Sequence, residues 1–203
     1  ASDVYKRQGL STYDVTVIAI GTAGVVANTS ISVDVLVLYT PPADLLEAMF
    51  TGSWRVLAEE FGHMGVGPSE VDTPDWWQAA AFDKVDTGMY DDRYTFTPDG
   101  TLTVETFGSI FGKAPPLADE FIGDQGLTAN GNNEYEYYPT EDFTSNWNIG
   151  APGGQEHIYL DGNGFFGFYV GGTHAYKIID RTSNTLVLKT IGFEGQGPFL
   201  VDL

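Results

Sequence analysis

RYTFTPDGTLTVET, residues 93–106, alternates polar and apolar side chains on either side of a Pro-Asp-Gly turn. A period of two sends successive side chains to opposite faces of a strand, and the turn at 98–100 folds the two runs into a hairpin. The same grammar recurs in GSWRVLAEE from Gly52, in QEHIYLDGNGFFGFYVGG with its DGNG at 161–164, and in AYKIIDRTSNTLVLKTIG, where RTSNT reads as a longer hairpin loop. GPFLVDL closes the chain in the same way. Repeated hairpins predict an all-β, antiparallel fold, either an up-and-down barrel or a sandwich. The region 112–155, rich in Gly, Asn, Pro and acids, reads as long loops with room for a strand. No internal repeat is evident.

The N-terminal part has a pattern of its own. STYDVTVIAIGTAGVVANTSISVDVLVLY, residues 11–39, predicts two strands around a Gly-rich turn, with Tyr13, Val15 and Val17 alternating on the first and Ile31, Val33 and Val35 on the second. Two strands alone are marginal in water. The preceding DVYKRQ, Asp3 to Gln8, resembles a translated sequencing adapter, so residues 1–8 are set aside. The natural sequence is then expected to begin near Gly9, with any export signal upstream. Residues 41–51 predict a short linker helix, started by Pro42, with an apolar face of Leu45, Leu46 and Met49.

Charge narrows the partners. Asp and Glu number 28 against 9 Lys and Arg, a formal net charge of −19. A surface this acidic repels phosphate backbones and anionic lipid, which excludes nucleic acid and membrane-surface binding and disfavours polyanionic glycans. Neutral partners suit it. With no cysteine, disulfides, thiolate metal sites and cysteine nucleophiles are ruled out together. No apolar run reaches the length of a membrane span.

The most pointed local feature is TPDWWQAAAF, residues 73–82. Thr73 as N-cap, Pro74 at the first helical position and Asp75 at the positive helix end predict a short helix. Whatever the backbone does, Trp76 and Trp77 are adjacent and cannot share one buried face. The alternatives are that both rings pack against loops, or that one forms a flat platform for a sugar ring, whose axial C–H bonds stack on aromatic faces. A second cluster, NGNNEYEYYPTEDFTSNWN at 130–148, sets Tyr135, Tyr137, Tyr138 and Trp147 among Asn133, Asn146 and several acids, the mixture of rings, amides and carboxylates that a sugar site uses. An extended backbone there would put Tyr135 and Tyr137 on one face and Tyr138 on the other; one buried tyrosine row is the plain structural alternative.

Other chemistry finds weaker footing. Glu59-Glu60 and Asp91-Asp92 are carboxylate pairs of the kind glycoside hydrolysis needs across a bond, but no hydrolase signature surrounds them. His63, His157 and His174 lack zinc-site spacing. DGNG and the YDD at 90–92 offer oxygen ligands for calcium, though the first is better explained as a turn. No cofactor is expected.

Two resemblances give these residues a setting. TYDVTVIAIG and SVDVLV resemble the last strands of a PKD-type immunoglobulin-like domain, over about residues 9–40. The GSW at Gly52 to Trp54, with MYDDRYTFTPDGTLTVE, GFFGFYVGGTHAYKI and NTLVLKT, resembles a lipocalin-like barrel domain that follows PKD modules in surface or secreted glycan-utilisation proteins of Bacteroidetes, over about residues 52–203. The resemblance implies that Trp54 plugs one barrel end. It also implies an extracellular or outer-membrane-surface location and a part in glycan capture or breakdown. The expected function is non-catalytic binding of a neutral polysaccharide of β-glucan type, with Trp76, Trp77, Trp147, Tyr135, Tyr137, Tyr138, Asn133 and Asn146 as contact residues. The alternatives are an accessory domain of a glycoside hydrolase, or an assembly module pairing through exposed strand edges.

Overall fold

The computed structural model describes residues 9–20, 24, 26–37, 39–193 and 199–203. Residues 1–8 and most of the Gly-rich turn at 21–25 lie outside the described residues. In chain order the strands are β1 (Gly9–Ile20), β2 (Val26–Val37), β3 (Met64–Val66), β4 (Trp77–Gln78), β5 (Arg93–Phe96), β6 (Thr101–Glu105), β7 (Gly108–Lys113), β8 (Glu134–Thr140), β9 (Phe143–Gly150), β10 (His157–Leu160), β11 (Ala175–Arg181), β12 (Leu186–Thr190) and β13 (Phe199–Asp202). Two short helices interrupt them, α1 (Ala43–Met49) and α2 (Ala114–Glu120). The chain divides into two units, one holding the β1–β2 hairpin, the other Pro41–Gly150 and His157–Leu203.

The hairpin pairs antiparallel as the alternation predicts, with Tyr13 opposite Val33 and Val15 opposite Ile31. Val15, Val17 and Ile31 fall on one face and are exposed.

The second unit is built on a nine-stranded antiparallel sheet in the order β4-β3-β13-β12-β11-β10-β9-β6-β5. The sheet curls. The segment between α1 and β3 draws its ends together, because Trp54 pairs with Tyr94 of β5 while Met64–Val66 pairs with β13. The all-β antiparallel expectation holds. The PDG turn links β5 to β6 with Tyr94 opposite Val104 and Phe96 opposite Leu102, and RTSNT links β11 to β12.

Three local expectations fail, each for a tertiary reason. GSWRVLAEE forms a single bridge at Trp54 rather than a strand; the indole is nonetheless buried and donates to the Met49 carbonyl at 3.1 Å. The region 112–155 carries α2, β8 and β9 rather than loops around a strand, with β7 and β8 pairing as a separate ribbon. GFFGFYVGG is not a strand. Apart from a bridge between Tyr169 and Gly112, it runs as irregular backbone with Phe165, Phe166, Phe168 and Tyr169 almost wholly buried. These rings pack edge-on against Tyr94, Tyr176 and Phe121 and beside Phe96, Phe111 and Phe143, so the largest apolar side chains of the sequence serve as filling between sheet and ribbon. The helix expected at 41–51 is α1, which buries Leu45, Ala48 and Met49 in the core of the second unit, with Leu46 only partly covered.

Candidate functional site

The Trp76-Trp77 stretch is extended, not helical. Trp77–Gln78 is the edge strand of the nine-stranded sheet, with Val66 opposite Trp77 and Gly65 opposite Gln78. The Trp76 amide donates to Val66 O at 3.0 Å and the Ala79 amide to Met64 O at 2.9 Å. Two glycines permit this approach. A Cβ on Gly65 would lie 2.4 Å from the Pro74 Cβ, and one on Gly67 would lie 2.1 Å from the Thr73 carbonyl. A helix of fewer than ten residues is marginal by itself, and the ready-made pairing surface of β3 outweighs the capping signals.

The loop before the strand is fastened from below. The Lys189 Nζ, 7% exposed, donates to Ser69 O at 3.1 Å, Val71 O at 2.5 Å and Asp72 Oδ1 at 3.0 Å. Lys177, directly opposite Lys189 on β11, reaches the other Asp72 oxygen at 2.5 Å. The hydrogen bond from Lys177, followed by that from Lys189, holds the Asp72 carboxyl below the usual range. Like charges facing each other across a ladder repel; the shared carboxylate offsets this and locks the loop to the sheet.

Adjacent residues on a strand point to opposite sides. Trp76 is 65% exposed, the most open of the four indoles, and Trp77 is 38% exposed. Trp77 walls a cleft of about 390 Å³ that Met64, Val66 and Phe168 line on its apolar side, and Asp83, Lys84, Lys113, Asn132 and Glu134 on its polar side. The Lys84 Nζ stands 5.1 Å from the centroid of the Trp77 ring and 3.3 Å from Asp83. Lys113 lies 5.7 Å from the centroid of Phe168 and donates to Glu134 Oε1 at 3.1 Å and to Asn132 O at 2.9 Å.

Backbone strain brackets the segment that carries Lys84. Phe82 and Tyr137 both have positive φ, 58° and 51°, a region bulky side chains rarely enter. The Tyr137 amide donates to Thr87 O at 2.8 Å, and its ring borders Gly88, whose φ of 83° and 2.6 Å approach to Ser109 Oγ leave no room for a side chain. Strain of this kind persists only where surrounding contacts enforce it, and it concentrates at functional sites.

Other residues singled out from the sequence are dispersed. The register of β7 against β8 slips between Ile110 and Gly112, and the bulge reverses the expected tyrosine alternation. Tyr135 and Tyr138 turn inward and stack with centroids 5.8 Å apart, while Tyr137 is exposed. Trp147 on β9 packs against Phe50 and Phe96, its Nε1 donates to the Thr97 and Thr101 carbonyls, and it does not line the Trp77 cleft. Asn146 is exposed on β9, 3.5 Å from Asp161. Asn133 is exposed in a turn whose neighbours Asn132 and Glu134, rather than Asn133 itself, line the cleft. The sequence reading missed Lys84 and Lys113. The available signal was scarcity: two of only nine basic residues meet at one depression.

The carboxylate pairs are engaged elsewhere. Arg55 holds Glu59 at 2.5 Å and, through that hydrogen bond, lowers its carboxyl to about 2. Asp92 is fully buried beneath Tyr94, and burial pushes it up to about 9. His63 is buried between the Glu60 carbonyl and the Tyr90 hydroxyl. His174 holds the Gly164 carbonyl, while Glu120 accepts the Tyr169 hydroxyl and lies 3.4 Å from the His174 Nε2. DGNG acts as a turn, with Gly164 N donating to Asp161 O. Among the described residues no group of three or more His, Cys, Asp or Glu side chains is arranged to hold a metal ion, and no helix is long and apolar enough to cross a membrane.

What the arrangement offers chemically is hydrogen bonding beside aromatic surface. Ammonium donors, carboxylate acceptors and an amide converge there. No protein-family model matches the chain, and no curated protein matches it significantly.

Proposed function

We propose that this chain is a non-catalytic binding module for a neutral polysaccharide of β-glucan type, working in an extracellular or cell-surface setting. The observation that carries this reading is the cleft walled by the part-exposed Trp77 indole, where aromatic surface meets Lys84, Lys113, Asn132 and Glu134, with the open Trp76 indole on the other side of the same strand. A large apolar ring presented to water beside convergent polar groups is what a glycan platform requires: stacking on the flat face, and paired hydrogen bonds to adjacent hydroxyls. In this reading a sugar ring stacks on Trp77 with Phe168 as the facing cleft wall, Lys84, Lys113, Asn132 and Glu134 address hydroxyls, and Trp76 offers a separate stacking face on the other side of the strand. Tyr137, exposed beside the same strained segment, extends the surface. Trp147, Tyr135 and Tyr138 support the fold and leave the contact set.

Affinity electrophoresis against laminarin-type, mixed-linkage and charged glycans tests this directly. Binding to a neutral glucan is expected, and Trp77→Ala should weaken it about fivefold to tenfold, in line with about 1 kcal/mol for one stacked ring. Equal retardation of the parent and the Trp76→Ala and Trp77→Ala variants on every retained glycan would refute the platform.

A second reading, assembly, is favoured by one observation, the exposed apolar row of Val15, Val17 and Ile31 on the hairpin. Light scattering over a hundredfold concentration range tests it; a constant monomer mass refutes it.

A further inference from the structure

The charges around the Trp77 cleft balance. Lys84 faces Asp83, and Lys113 faces Glu134, so the lining sums to zero in a molecule whose formal charge is −19. Neutrality here is arranged pair by pair. Glu134 is 8% exposed and has both carboxyl oxygens engaged: Oε1 accepts from Lys113 and Oε2 from the Asn130 amide at 3.2 Å. The Lys113 Nζ has three donors, of which Glu134 and the Asn132 carbonyl take two. One remains for a hydroxyl on a ligand.

A buried carboxylate beside a lysine at a cleft mouth has a clear consequence for selectivity. A lone ammonium over an aromatic floor would be the strongest anchor in the cleft for a carboxylate or sulfate on a sugar. With Glu134 in place, an incoming anion meets a cancelled charge and a second anion within a few ångströms, whereas an uncharged hydroxyl finds a donor and an acceptor side by side. We propose that Glu134 is the specificity-determining residue of this cleft, restricting it to uncharged sugars by neutralising Lys113. This rests on the glycan-binding reading above and adds to it which glycans are refused, and by what.

The test compares two ligands on two proteins by NMR titration of the tryptophan indole N–H signals: a neutral gluco-oligosaccharide and an oligogalacturonate of equal length. In Glu134→Gln, whose side chain keeps the shape and an oxygen for Lys113, the ratio of galacturonate to glucan affinity should rise about tenfold over the parent. Lys113→Met leaves the carboxylate uncancelled and should shift the preference toward a glucosamine oligomer. Circular dichroism confirms that each variant is folded; should Glu134→Gln not fold, an unchanged preference in Lys113→Met overturns the inference instead. An unchanged galacturonate-to-glucan ratio in Glu134→Gln overturns the inference even if neutral glucan binds well. So does a parent protein that takes galacturonate as tightly as glucan. Conversely, a gain for galacturonate in Glu134→Gln, with neutral glucan bound by neither protein, supports the charge filter and refutes the β-glucan reading.

Discussion

The substitution Asp92→Asn should make the protein's stability less dependent on pH, by an amount the structure sets. Asp92 is fully buried; Tyr94 donates to its Oδ2 at 3.2 Å, and its Oδ1 has no partner. Burial, helped by the neighbouring Asp91 charge, pushes its carboxyl from the ordinary 3.8 up to about 9. The folded chain therefore keeps a proton that the unfolded chain releases. A raised folded value means that the stability contributed is complete below 3.8 and is lost as pH climbs through about 9. The slope is about 1.4 kcal/mol per pH unit, so the parent should lose about 4 kcal/mol between pH 5 and 8 relative to a variant with no proton to lose. The amide of the variant costs about 1–3 kcal/mol at every pH, because its N–H is placed where Oδ1 has no partner. The two stability curves should thus cross between about pH 4 and 6, with the parent ahead at more acidic pH and the variant ahead at pH 8. Urea unfolding followed by tryptophan fluorescence measures this at four pH values, and all four tryptophans lie in the second unit. Parallel curves for parent and variant would show that Asp92 ionises in the folded protein as it does in water, and the reasoning would be refuted.

Further expectations concern the site's supports. Lys189→Met removes the ammonium holding Ser69, Val71 and Asp72; a loss of about 1–3 kcal/mol is expected. Its Trp76 and Trp77 emission should also become more quenchable by iodide, and unchanged quenching would mean the loop is held by other contacts. Gly88→Ala must place a Cβ 2.6 Å from Ser109 Oγ at a φ of 83°. It should cost about 1–3 kcal/mol and alter the chemical shifts of Lys84 and Tyr137. If the Gly88→Ala midpoint in urea matches the parent, the segment is looser than its geometry implies.

What the sequence disclosed was governed by period and turn chemistry. The hairpins at 93–105 and 175–190 were readable because each alternating run is bounded by its own turn residues, so local signals and long-range pairing agree. The helix expected at 73–82 failed because its capping residues are local, whereas Gly65 of β3 and Gly67 just after it, which admit the chain, lie about ten residues away and carry no capping or periodicity signal. The tyrosine faces at 135–138 failed because one extra residue in a ladder inverts every side chain beyond it. GFFGFYVGG looked like a strand because buried irregular backbone and a buried strand have the same composition; only the third dimension separates them. The exposed tryptophans were legible in outline, since two adjacent indoles cannot both go inward. Their polar companions were not, because Lys84 and Lys113 stand 29 positions apart in sequence.

Phe165, Phe166 and Tyr169 occupy the volume that curled sheets of other proteins leave hollow for a guest. In the binding reading proposed above, recognition therefore falls to the outer surface and the Trp77 cleft. Recognition there can be rewritten by exchanging a few outward residues on the edge strand and the segment that follows it, while the aromatic plug keeps the scaffold's thermodynamics untouched. Variants that retarget the surface should accordingly melt together, as a family of faces on one unchanging plinth.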